Sequence, residues 1–150
     1  MIIAFCGHGD YCGSAEDEQK ILEILEREVG DGPCEFFLGG YGGFDGFSHS
    51  CAKKFKKEHP NAKLTFVTPY MDEKYIKSRT EYMKDVDVVY PPIENVPKKF
   101  AISRRNEWMM EQADVVISYV AHSFGGAYET YRCARAKGKK IYNISNNNIE

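Results

Sequence analysis

Short apolar runs alternate along this chain with longer stretches of helical periodicity, and each run stops at or near glycine, proline or asparagine. Residues 2–6, 34–38, 64–68, 86–90, 115–120 and 140–144 read as strands. Residues 15–29, 47–59, 98–112 and 126–137 carry apolar positions at helical spacing, and a short polar helix fits within 71–85. Runs that are apolar throughout suit strands covered on both faces. Strands alternating with helices then give a mainly parallel sheet with helices on both faces, because crossovers are right-handed. The chain is therefore expected to be one α/β domain over residues 1–150, without linker or repeat.

The most informative run is Val115-Val116-Ile117-Ser118-Tyr119-Val120, which passes through His122-Ser123-Phe124 to Gly125-Gly126 and a new helix. A glycine pair at that place lets a ligand approach the backbone and leaves helix amides aimed at an anion. Ligands of such sheets sit beyond the carboxyl ends of the strands, near the point where strand order reverses. The loops expected at that edge are residues 7–10, 39–45, 68–70 and 123–130, three of them glycine-bearing. Gly39, Gly40, Gly42, Gly43 and Gly46 fall within eight residues, which reads as a loop rather than as helix interior.

Composition bounds the partners. Hydrophobic residues make up 43% and the net charge is −2, which argues against nucleic acid and against a membrane surface. Lys53, Lys54, Lys56 and Lys57 form one local basic strip. No apolar run approaches the roughly 18 residues of a membrane span, and the first residues read as a strand rather than a leader. Five cysteines without a C-x-x-C pair fit a reducing cytoplasm. Cys6, His8 and Cys12 lack a fourth ligand at zinc spacing, so no metal is expected. Gly7-x-Gly9 has Cys12, and Gly40-x-Gly42 has Asp45, where a dinucleotide fingerprint needs its third glycine. No cofactor is expected.

Several residues invite a chemical role. Arg104 and Arg105 are the adjacent arginine pair, suited either to a forked contact with phosphate or to a solvated helix face. Glu129, in the first turn after the glycine pair, can serve as general base or ribose contact, or merely favour a helix start. Asp45 carries the same two readings. His122 and Ser123 lack a nucleophile-elbow setting. Trp108, Met109 and Met110 read as core or as the contact of a homodimer.

The ordered set Cys6-Gly7-His8, Gly39-Gly40-x-Gly42-x-x-Asp45, Val67-x-Pro69, Arg105-Asn106-x-Trp108-Met109, Ala113-Asp114, Gly125-Gly126-x-x-x-Thr130, Gly138-Lys139 and Ile144 resembles the SLOG superfamily, in particular its small bacterial members. That superfamily is Rossmann-like and includes DprA proteins and LOG-type phosphoribohydrolases. The resemblance implies a nucleotide or nucleotide-derived ligand held at the glycine loops. Gly7, His8, Gly39, Gly40, Gly42, Asp45, Pro69, Arg105, Asn106, Gly125, Gly126 and Thr130 are the ligand-binding residues it implies. It also raises an alternative, an N-glycosidase acting on a nucleoside 5′-monophosphate, with Arg104 and Glu129 as the catalytic pair. The LOG glutamate itself falls on Arg132.

Overall fold

A computed structural model describes residues 1–147 and 149. One sheet holds six strands, all parallel, in the order β4-β3-β2-β1-β5-β6. The strands are β1 (Ile2–Gly7), β2 (Cys34–Leu38), β3 (Ala62–Val67), β4 (Asp87–Val89), β5 (Val115–Tyr119) and β6 (Lys140–Asn143). Five α-helices connect them: α1 (Ala15–Glu28), α2 (Gly43–Glu58), α3 (Glu73–Met83), α4 (Ala101–Gln112) and α5 (Gly126–Ala136). A single 3-10 turn, Lys98–Phe100, leads into α4.

The period-2 alternation of the central strands divides the core into two layers. Ile3 and Phe5 of β1 face one side, where they join Leu25 of α1 and Phe44, Cys51 and Phe55 of α2. Ala4 and Cys6 face the other side, with Met109 and Met110 of α4 and Ala134 of α5. Both faces of β1 are thus dry, which is why its sequence shows no polar alternation. Edge strand β4 departs from the half-buried alternation its sequence suggests: Asp87 and Val88 are exposed and Val89 is only partly covered, because the strand is short and pairs on one side alone.

Local chemistry sets the ends of α1. Ser14 caps it by accepting from the Asp17 amide at 3.1 Å, while the Asp17 carboxylate accepts from the Tyr11 hydroxyl at 2.7 Å. Helix α2 starts four residues earlier than its apolar spacing suggests. Gly43 and Gly46 are both helical, and at Gly43 the amino end of α2 packs directly on the β1–α1 loop. A Cβ on Gly43 would stand 2.2 Å from the Tyr11 carbonyl oxygen. Gly43 there serves close packing rather than loop freedom, whereas a Cβ on Gly46 would meet nothing within 4 Å. The polar stretch 145–147 is also tied down: Asn147 donates to the Ala121 carbonyl at 3.2 Å. Asn148, the last residue expected in that tail, lies outside the described residues.

Trp108 lies against Phe37, with ring centroids 5.5 Å apart, and Met109 and Met110 are buried. The apolar face proposed for a homodimer is therefore largely spent in the core. No described helix is long and apolar enough to cross a membrane.

At the amino end of the sheet, buried His59 caps α2. Its ring stacks on Phe55 at 4.0 Å and lies between Glu26 at 2.5 Å and Asp31 at 3.0 Å. The Glu26 hydrogen bond, with help from Asp31, raises the His59 pKa above its ordinary 6.5. The folded state then holds a proton more tightly than the unfolded chain. His59 contributes stability fully below pH 6.5, and this is lost as pH rises through the raised value. Urea midpoints of wild type minus His59→Gln should shrink between pH 6 and pH 8. A constant difference would remove the pairing from the stability of the fold.

Candidate functional site

Strand β5 is reached from β4 at the far edge by a crossover that passes β3, β2 and β1. Strand order therefore reverses between β1 and β5, and the loops leaving their carboxyl ends part. A cleft of about 470 Å³ opens at that point, within the usual range for small-molecule sites. Asn143 holds the β5 side of it. Its amide side chain accepts from the Val120 N–H and donates to the Val120 carbonyl, each at 3.0 Å.

Two helices begin beside the cleft in the same backbone conformation. Gly42 caps α2 at φ 90°, ψ 174°, and Gly125 caps α5 at φ 89°, ψ 175°. Both lie in the region that favours glycine, and neither start has a side-chain cap. Their surroundings differ. In α2 the Gly43 amide donates to the Gly9 carbonyl at 2.8 Å and the Phe44 amide to the His8 carbonyl at 3.3 Å. In α5 the first amides have no acceptor within the helix, and Gly125, Gly126 and Ala127 line the cleft. An amino end presented in this way carries partial positive charge toward whatever enters.

The opposite wall is built around a buried cation. Arg105, 2% exposed, donates from Nη1 to the Gly39 carbonyl at 3.0 Å and to the Val67 carbonyl at 2.6 Å. Its Nε donates to Asn106 Oδ1 at 2.8 Å. A single nitrogen, Nη1, thus ties the ends of β2 and β3 to α4, while Nε is held by the next residue of that helix. Asp45 lies alongside and accepts from the Tyr41 amide at 3.0 Å. Burial pushes its carboxyl up to about 6, although Arg105 and the Tyr41 amide pull the other way. Near neutral pH, Asp45 can give or take a proton inside the cleft.

The floor carries a stack of rings. His8, 8% exposed, accepts the Ala121 amide on Nε2 at 2.8 Å. An accepting Nε2 puts the proton of the neutral ring on Nδ1. Burial, then neighbouring His122, lowers the His8 pKa. The His8 ring stacks on His122 at 3.8 Å, and His122 stacks on Phe124 at 3.8 Å. Cys6 also lines the cleft, but burial, then Asp45, pushes its thiol up to about 12. It is no nucleophile at neutral pH.

Of the residues expected to meet a ligand, Gly7, His8, Gly39, Asp45, Arg105, Asn106, Gly125, Gly126 and Thr130 do line one cleft. Gly40, Gly42 and Pro69 do not. The Gly40 carbonyl accepts from Arg79 at 3.3 Å, Gly42 packs against Gly9, and Pro69 borders a separate groove with Tyr70 and Met71. The two residues offered as catalytic also stand outside. Exposed Glu129 pairs with Arg132 at 3.4 Å, and exposed Arg104 pairs with Glu107 at 3.0 Å. The forked arginine contact goes to protein carbonyls from Arg105 instead. Among the described residues no three His, Cys, Asp or Glu side chains are grouped to hold a metal. In the lining, Asp10, Tyr41 and Phe124 fall within the loops expected at this edge without having been singled out, and Ile102 lies outside those loops. Ile102 sits one helical turn before Arg105. The signal for Tyr41 and Phe124 was a large aromatic residue inside a glycine loop.

The strand order and the cleft at its reversal define a Rossmann-like α/β fold. No family model matches the chain, and no curated protein matches it. Solved structures do share the fold. DNA processing protein A (DprA) from Streptococcus pneumoniae superposes with TM-score 0.64 at 19% identity, over 94% of this chain and 49% of that one. DprA from Helicobacter pylori, described for its single-stranded DNA binding mode, gives 0.63 at 18% identity, over 94% of this chain and 63% of that one. The chain thus spans about half to just under two thirds of the length of these proteins. The second comparison corrects the argument against nucleic acid. Net charge is a sum over the whole surface, and a protein of the same fold binds single-stranded DNA.

Proposed function

We propose that residues 1–150 form a SLOG-like nucleotide-binding domain that takes a nucleotide unit, free or within a single strand of nucleic acid, between β1 and β5. The observation that carries this reading is the uncapped amino end of α5 at the cleft. Its amides and partial charge suit a phosphate. The mixture of apolar lining with a few convergent polar groups suits a base and sugar. The likeness to a single-stranded DNA binder supports the same class of ligand.

Nucleoside monophosphates and a short single-stranded oligonucleotide are expected to raise the melting temperature. Ligand at a hundred times its Kd adds about 2.7 kcal/mol. The two sources separate by salt: oligonucleotide affinity should fall steeply with ionic strength if several phosphates are held. Ala127→Glu places a carboxylate at the second position of α5, where it favours the helix but competes with a ligand anion. It should keep the fold and weaken binding about tenfold or more. Absence of any thermal shift, or affinity untouched by Ala127→Glu, would sink the reading.

A further inference from the structure

Phe124 is 67% exposed, yet its ring is held in place. One face lies on His122 at 3.8 Å with an 18° tilt, and His122 lies on His8 at 3.8 Å with a 12° tilt. The stack is anchored at its inner end, where His8 accepts the Ala121 amide and meets the edge of Tyr119. His122 Nδ1 has no hydrogen-bond partner among the described residues, so at that atom nothing but stacking holds the ring. A large apolar ring in an exposed glycine loop gains little from burial there. It is fixed flat at the mouth of the cleft, one residue before Gly125 and the free amides of α5.

The geometry points to Phe124 as the platform for the base of the bound nucleotide unit, stacked as the fourth ring of the His8–His122–Phe124 column. This rests on the reading that the cleft takes a nucleotide unit. A planar heterocycle joined through a sugar to a phosphate matches a flat aromatic surface followed directly by a helix amino end. Stacking on such a platform tolerates every base, because every base has a π-face. Phe124 therefore supplies affinity for the base as a class and leaves base identity to other contacts. His8 and His122 are positioning residues that keep the platform level.

The test compares a nucleoside 5′-monophosphate with ribose 5-phosphate, which keeps the phosphate and loses the base. Phe124→Ala should weaken the nucleotide by about ten- to a hundredfold, the range found for base stacking, and leave ribose 5-phosphate unchanged. Phe124→Trp should retain nucleotide affinity, and its added fluorescence should be quenched on binding. If both ligands bind wild type and Phe124→Ala alters neither, the platform is refuted while the cleft reading survives. If Phe124→Ala weakens both equally, the ring serves the loop and not the base, and the platform is again refuted. If neither ligand binds wild type, both readings fall together.

Discussion

Replacing Arg105 with methionine should cost the fold about 3–5 kcal/mol, the usual result of removing one partner from a buried charged network. Methionine keeps much of the stem volume, so the loss isolates the guanidinium. The Gly39 and Val67 carbonyls would lose their shared donor, and each unmet buried group costs roughly 1–3 kcal/mol. Asp45 would also lose the cation that holds its carboxyl down, so its pKa should climb beyond about 6. Ionising it then opposes folding. The loss should accordingly be larger at pH 8, where the wild-type fold holds Asp45 ionised beside Arg105, than at pH 5, where the folded carboxyl keeps its proton in both proteins. Urea denaturation at the two pH values measures both parts. Equal losses at both would mean that Asp45 does not depend on Arg105.

Gly43→Ala and Gly46→Ala should move stability in opposite directions, although both sit in the first turn of α2. Alanine ordinarily gains roughly 0.5–1 kcal/mol over glycine within a helix. A methyl on Gly46 meets nothing within 4 Å, so this gain should be realised in full. A methyl on Gly43 meets the Tyr11 carbonyl oxygen at 2.2 Å and the Gly9 carbonyl oxygen at 3.0 Å. Both obstacles are backbone and cannot rotate away. The β1–α1 loop must retreat, which should cost about 3 kcal/mol, the upper part of the range for overpacking. The same retreat displaces His8, so Gly43→Ala should also weaken ligand binding. Thermal melts of the two variants decide the matter, and a stabilised Gly43→Ala would refute the packing described for α2.

The fold was largely legible because its central strands are dry on both faces. Runs such as Val115-Val116-Ile117 declare that condition without help from distant residues. The beginning of α2 was not legible, because the reason for Gly43 is another loop far away in sequence. In α4, Arg105 lies four residues from both Ala101 and Met109, so helical phase points it inward and turns Arg104 out. That was readable but easily missed beside an equally charged neighbour. Glu129 looked well placed along the chain, yet the helix surface carries it toward Arg132. Tyr41 and Phe124 had no periodic pattern to reveal them. Their part in the cleft depends on where loops meet in space.

The matched starts of α2 and α5 have one more consequence. At α2 the protein shows how such an amino end is satisfied: two carbonyl oxygens from the β1–α1 loop sit on consecutive amides, at 2.8 Å and 3.3 Å. Those oxygens act as a built-in stand-in for an anion, donated by the chain itself. Because α5 begins with the same backbone angles, the pair gives a geometric template for a guest at the second helix. Two oxygens of one tetrahedral group, set on Gly126 and Ala127 as Gly9 and His8 are set on Gly43 and Phe44, would reproduce at α5 a contact the molecule already makes with itself.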